Sequence, residues 1–293
     1  MSAPSPDRAA VVLCGGLSTR MGRAKATLPF GTEGLLSLVV RTCAEACGSI
    51  VVVAAEGQNL PALPHGTRVV RDERPEQGPL EGLAVGLAAV DAPAAFCTSC
   101  DVPFLLPALI GRMFSALGDA AAAQAVVEGR TQPLLAVYRA SLAPKAARLV
   151  AAGRRRVIFL VEGERVNFVD EAALREADPD LRSFRNLNTP EEYEAALLEI
   201  GARLRVELYG VARHRAGRES VEIGFPSGGT LGDALFLVAA AVPSLVGPVI
   251  AADRRSLAAG SVASLDGERF VTDPATPLPA DRPLLLLPAS AGG

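Results

Sequence analysis

The sequence predicts an α/β layer sandwich with a mainly parallel sheet over residues 1–200, followed by a small α+β domain over residues 204–293. Three observations predict it. Up to residue 200, apolar strand-like runs alternate with helix-like segments, the order expected of a parallel sheet covered by helices. The residues that carry chemistry fall just after those runs, where open sheets of this kind bind ligands. After Gly201 the pattern shifts to alternating strand-like stretches around a single helix-like segment. A chain of 293 residues has room for both parts, and a hydrophobic content of 49% is enough to fill their cores.

The first strand is expected over residues 10–14. Ala10-Val11-Val12-Leu13 is apolar and β-branched, as suits a strand buried on both faces. Further strands are expected over 50–54, 68–70, 94–98, 125–127 and 134–138, with helices near 35–47, 80–90, 107–117, 141–152 and 190–200. The last helix has a clear start at Thr189-Pro190-Glu191-Glu192: a hydroxyl cap, proline in the first turn and acids at the positive dipole end. Beyond it, residues 204–210 alternate as a half-buried strand with 220–223 as its hairpin partner. A helix opens at Thr230 with Asp233 in its first turn, and strands are expected over 249–251, 269–271 and 284–287. This ββαββ order suggests a β-grasp, or ubiquitin-like, domain.

A net charge of −3 gives no general field for polyanions, so nucleic acid is not an expected partner. Residues 1–7 lack the basic and apolar regions of a signal peptide, and no apolar run reaches membrane-spanning length. The expectation is a soluble, cytoplasmic protein that has no membrane partner. Cys14, Cys43, Cys47, Cys97 and Cys100 fit reduced, buried thiols better than a disulfide framework. Cys97 and Cys100 have redox or zinc spacing, but there is no second pair, and the strand-like setting favours core packing.

The most informative stretch runs from Leu13 to Lys25. Gly15, Gly16 and Gly22 allow positive φ and let backbone N–H groups approach phosphate oxygens. Arg20 and Lys25 can neutralise charge as a phosphorus is attacked and pyrophosphate leaves. The spacing fits neither a Walker P-loop nor the dinucleotide fingerprint. A nucleoside triphosphate loop accounts for the coincidence of features better than a glycine-rich surface turn with solvated cations. Asp101 directly follows an apolar strand and precedes Val102-Pro103, so its carboxylate suits a hard cation. It could also serve as a turn or helix cap.

This run resembles the signature of nucleotidyltransferases, most closely that of the molybdenum cofactor guanylyltransferases. The resemblance continues in order through Arg71-Asp72, Gly78-Pro79-Leu80-Glu81-Gly82-Leu83, Ser99-Cys100-Asp101-Val102-Pro103, the block from Gln132 to Tyr138, and Asn186-Leu187-Asn188-Thr189-Pro190. It covers residues 8–199 and implies a Rossmann-like three-layer sandwich that takes GTP and Mg²⁺ and transfers GMP to molybdopterin. It places Leu13, Cys14, Gly15, Gly16, Gly22, Lys25, Asp72, Leu80, Gly82 and Asp101 around the nucleotide, with Lys25, Arg20 and Asp101 catalytic and Asp101 holding the metal. Arg20, Arg156, Asn186 and Asn188 match pterin-facing positions. Asp72 also reads as one member of the charge run Arg71–Arg74, and Arg156 as part of a solvated triplet. The family commonly has Asp just before the loop lysine. This chain has Ala24, a difference that bears on how Lys25 is oriented.

The C-terminal run from Leu284, ending in Gly292-Gly293, resembles the small subunit of molybdopterin synthase, a ubiquitin-like sulfur carrier, as does Asp273-Pro274-Ala275-Thr276-Pro277-Leu278. The match spans 204–293 and implies a thiocarboxylate at Gly293. The implied partners are an adenylating sulfur-transfer enzyme and the synthase large subunit. Paired glycines suit a tail that enters a narrow active-site channel. Two other readings stay open: a cytidylyl- or sugar-phosphate nucleotidylyltransferase, and a sulfur carrier or binding protein whose N-terminal domain is inactive.

Overall fold

The computed structural model describes residues 5–14, 24–31, 33–72 and 78–289. The chain divides into two compact units, Met1–Leu28 with Gly34–Asn186, and Pro29–Glu33 with Leu187–Gly293. Among the described residues, no helix is long and apolar enough to cross a membrane.

In chain order the first unit contains β1 (Ser5–Leu13), α1 (Leu35–Ala44), β4 (Cys47–Ala55), β5 (Thr67–Asp72), α2 (Pro79–Ala88), β6 (Ala94–Ser99), α3 (Pro107–Leu117), β7 (Ala122–Val127), β8 (Arg130–Arg139), α4 (Ala143–Ala151), β9 (Val166–Val169) and α5 (Glu171–Arg175). Between β1 and α1 in the sequence lies a two-stranded ribbon, β2 (Pro29–Phe30) with β3 (Glu33–Gly34). The seven-stranded sheet has the order β5-β4-β1-β6-β8-β7-β9. Strands β5, β4, β1 and β6 are parallel, and β8 runs antiparallel to both its neighbours. Alternation along β1 sends Ala10 and Val12 into one core with α1 and α3, and Ala9, Val11 and Leu13 into another with α2 and α4. A strand sandwiched in this way must be apolar on both faces, which is why its sequence is a continuous apolar run.

Helix α1 stops at Ala44, short of the expected end at residue 47, because Cys47 already opens β4. The next residue has no space for a side chain: a Cβ on Gly48 would lie 2.8 Å from both Pro6 Cα and Ser5 O. Strand β9 and helix α5 have no counterpart among the expected elements.

The second unit contains α6 (Pro190–Glu199), β10 (Arg203–Leu208), α7 (Val211–Ala216), β11 (Ser220–Gly224), α8 (Leu231–Ala241), β12 (Ser261–Leu265), β13 (Arg269–Val271) and β14 (Leu284–Pro288). Its sheet has the order β11-β10-β14-β12-β13, with β10 and β14 parallel at the centre and every other pair antiparallel. Thr189 and Thr230 open α6 and α8 with reciprocal capping boxes, using Glu192 and Asp233.

Helix α6, counted on sequence grounds with the first 200 residues, lies in the second unit. A Cβ on Gly224 at the end of β11 would meet Glu194 O at 2.4 Å and Leu197 Cβ at 2.6 Å, so strand and helix pack in backbone contact. The strand expected over 249–251 is instead a turn region held by isolated bridges at Ile250. Val249 and Ile250 are buried, so their apolar character reflects a buried loop and not a ladder. The strand in that part of the sheet is β12, whose Ser-Val-Ala-Ser-Leu carries little apolar signal.

Candidate active site

Strands β1 and β6 are parallel neighbours with Leu13 opposite Ser99, so their carboxyl ends emerge side by side. The Cys100 N–H donates to Leu13 O at 3.0 Å and the Cys14 N–H to Val53 O at 2.9 Å, which ties both exits to the sheet. Asp101 is the second residue past β6. Lys25 opens a short 3₁₀ turn, Lys25–Thr27, anchored by buried Ala26.

The two meet. Lys25 Nζ donates to Asp101 Oδ2 at 2.6 Å, and Ser99 Oγ donates to Asp101 Oδ1 at 2.5 Å. The Lys25 and Asp101 side chains are only 17% and 11% exposed, so each charge depends on its partner. Ala24 is extended and has no carboxylate to offer; in this structure Asp101 orients the Lys25 ammonium.

On the other side of β1, Gln58 bridges two strand ends. Its Oε1 accepts from the Ala55 N–H at 3.0 Å and its Nε2 donates to Cys14 O at 2.9 Å. Arg71 Nη1 donates to Ala55 O at 3.0 Å and to Gln58 O at 2.9 Å. Neither contact was expected from the sequence, because Gln58 sits in no motif or periodic pattern. Asp72 closes β5 and is buried, only 5% exposed, so it does not belong to a solvated charge run.

Leu80 and Gly82 lie in α2, with Leu80 fully buried. A Cβ on Gly82 would stand 3.3 Å from Leu13 Cδ2, and one on Gly86 would stand 2.3 Å from Val11 Cγ1. Glycines one turn apart therefore let α2 lie directly on β1. At the amino end of α2, Gly78 has φ +89 and its absent Cβ would lie 3.0 Å from Arg155 O. The Leu80 N–H donates to that same carbonyl at 3.4 Å. This brings the Arg154–Arg156 segment beside α2. Arg156 itself is exposed and precedes the 3₁₀ turn Val157–Leu160. Arg154 stacks on Phe159 at 4.4 Å.

Asn186 is exposed and ends the first unit. Asn188 belongs to the second, where its N–H donates to Glu192 Oε2 at 2.7 Å. Gly15, Gly16, Arg20, Gly22, Gly292 and Gly293 lie outside the described residues. All five cysteines are buried free thiols. Burial pushes the Cys14 thiol up to about 12, against a smaller opposing pull from Arg71. Cys97 and Cys100 are likewise held protonated, mainly by burial.

A parallel α/β sheet with a cation and a carboxylate converging beyond adjacent strand ends defines an enzyme of the nucleotidyltransferase class. The chain belongs to the MobA-like NTP transferase domain family, whose pattern matches residues 10–166. It is 38% identical over 200 residues to a Mycobacterium avium (strain 104) protein named "Probable molybdenum cofactor guanylyltransferase", covering 66% of this chain and 96% of the relative. A protein of the same name from Mycobacterium tuberculosis (strain ATCC 25618 / H37Rv) is 39% identical over 198 residues, covering 64% of this chain and 94% of its own length. The fold matches the crystal structure of molybdopterin-guanine dinucleotide biosynthesis protein A from Archaeoglobus fulgidus. That match has a TM-score of 0.56 and 21% identity, and covers 66% of this chain and 98% of that one.

Proposed function

We propose that the first unit transfers GMP from GTP to the terminal phosphate of molybdopterin with release of pyrophosphate. The second unit is read as a sulfur carrier acting in the same biosynthesis. The observation that carries the first part is the shielded Lys25–Asp101 pair beyond β1 and β6, in a chain whose relatives are named for guanylyl transfer.

An acceptor phosphate oxygen attacks the α-phosphorus of GTP, a bond forms there, and the bond to the bridging oxygen breaks as pyrophosphate leaves. Lys25 turns its ammonium towards the triphosphate and stabilises the charge that develops at the α-phosphorus. Positioning and charge neutralisation dominate such transfers. Asp101 suits Mg²⁺: it supplies carboxylate oxygens, and among the described residues there is no cluster of three or more His, Cys, Asp or Glu to hold a metal. A cation that takes one or two carboxylates and otherwise water and substrate phosphates fits that donor set. When bound, Mg²⁺ adds positive charge at the triphosphate. Ser99 keeps the carboxylate turned. The ends of β1 and β5 and the start of α2, with Leu13, Cys14, Asp72, Leu80 and Gly82, frame the guanosine, and Arg20, Arg156 and Asn186 serve the acceptor.

For the second unit, the order β11-β10-β14-β12-β13 with a parallel central pair and α8 against β11 supports the β-grasp reading. The chain leaves β14 with the Ala289 N–H donating to Gly260 O at 2.8 Å, which fixes the root of the tail. An adenylating enzyme would join the Gly293 carboxylate to AMP from ATP, releasing pyrophosphate. Sulfur from a donor would then displace AMP, leaving a thiocarboxylate for use by the synthase large subunit.

Two measurements test the halves separately. With molybdopterin as acceptor, GTP should support pyrophosphate release and CTP should not; equal turnover of CTP overturns the guanylyl assignment. Intact mass after incubation with an adenylating enzyme, ATP and a sulfur donor should show one oxygen replaced by sulfur. An unchanged mass overturns the carrier assignment.

A further inference from the structure

Five residues after Asp101, the chain enters α3 at Leu106 with no capping side chain of its own. The cap comes from elsewhere in the sequence. Ser183 Oγ accepts from the Leu106 N–H at 3.1 Å and donates to Phe104 O at 3.4 Å. One hydroxyl therefore holds two points of the segment that leaves Asp101.

Ser183 is itself held. It is fully buried within the 3₁₀ turn Arg182–Phe184. Asp178, 1% exposed, accepts from the Ser183 N–H through Oδ2 at 2.8 Å and from the Arg182 N–H through Oδ1 at 3.1 Å. A carboxylate this deeply buried needs such bonds, and its two oxygens fix the turn from below. The preceding residue, Leu181, adopts a left-handed conformation with φ +52, which brings the turn back over Asp178. From above, the guanidinium groups of Arg182 and Arg185 lie 4.5 and 4.8 Å from the centre of the Phe104 ring. The segment after Asp101 is gripped at its backbone by Ser183 and at its ring by two arginines.

We propose that Asp178 and Ser183 are positioning residues for Asp101: a buried clamp that sets where the carboxylate stands against Lys25 and the substrate. This rests on the reading of Asp101 as a metal-holding residue. Catalytic groups need support of this kind, because displacement by about 1 Å can cost on the order of a hundredfold in rate. Sequence distance hides the connection, since Ser183 is 77 residues from Leu106.

The test compares Ser183→Ala, Asp178→Asn and Ser183→Thr with Asp101→Ala. Read-outs are pyrophosphate release from Mg-GTP and Mn²⁺ affinity in the presence of GTP by electron paramagnetic resonance, with folding checked by circular dichroism. Ser183→Ala should lower kcat by about tenfold or more, leave the KM for GTP within about twofold and weaken Mn²⁺ binding by several-fold. Asp178→Asn should do the same, and Ser183→Thr, which keeps the hydroxyl, should restore both. If Ser183→Ala fails to fold, Arg185→Met, an exposed position, takes its place and should shift kcat and Mn²⁺ affinity in the same direction. Wild-type kcat and Mn²⁺ affinity in a folded clamp variant, while Asp101→Ala loses both, overturn the clamp. Retention of both by Asp101→Ala overturns the reading beneath it instead.

Discussion

At the candidate site two residues from distant parts of the chain satisfy each other: the Lys25 ammonium and the Asp101 carboxylate, 2.6 Å apart and mostly shielded. In the same unit the cysteines are kept neutral by burial. The Cys14 and Cys47 thiols are pushed from an ordinary 9.0 up to about 12, chiefly by burial. Because the folded chain holds these protons more tightly than the unfolded one, their contribution to stability is complete below pH 9.0 and is lost as pH rises from there towards 12. The urea midpoint of the first unit should therefore fall between about pH 8 and about pH 10, and fall less in Cys47→Ala. An unchanged or rising midpoint contradicts this. Native protein at about pH 8 should also resist alkylation at Cys14, since the thiolate is the nucleophile.

At the scale of elements, the glycines of α2 determine how closely that helix sits on β1. Gly86→Ala would drive a methyl to 2.3 Å from Val11 Cγ1, a methyl of a χ1-stiff side chain inside a packed core. Overpacking of that kind costs about 1–3 kcal/mol, so the thermal midpoint of the first unit should drop, whereas Gly153→Ala, whose Cβ meets open space but whose φ is +75, reports strain alone. A Gly86→Ala midpoint equal to wild type contradicts the packing argument. The elements that could be read from sequence were those whose burial leaves a period or a cap: β1, β4 and β6 by apolar runs, α6 and α8 by threonine caps. Those not read had weaker marks. β12 faces its core with Ala263 and Leu265 on either side of Ser264, α7 spans only Val211–Ala216, and the buried loop at Val249 and Ile250 imitated a strand.

Across the whole chain, the sequence order of motifs was enough to bring Lys25 and Asp101 together, because a parallel sheet delivers consecutive strand ends to one edge. Contacts made by isolated residues were not legible. Gln58 on Cys14, Asp178 beneath Ser183 and Ser183 on Leu106 are set by backbone placement, which leaves no period in the sequence. The grouping of α6 with the second sheet was hidden for a related reason: it depends on Gly224 meeting the backbone of α6, not on the motif that begins that helix.

The most direct measurement is pyrophosphate release from Mg-GTP, with molybdopterin as acceptor, by Lys25→Ala and Asp101→Ala compared with wild type, each checked for folding. Removing a charge that acts on the triphosphate should lower kcat by about a hundredfold or more in both. Near-normal turnover in either folded variant would contradict the claim that the two residues act on one triphosphate.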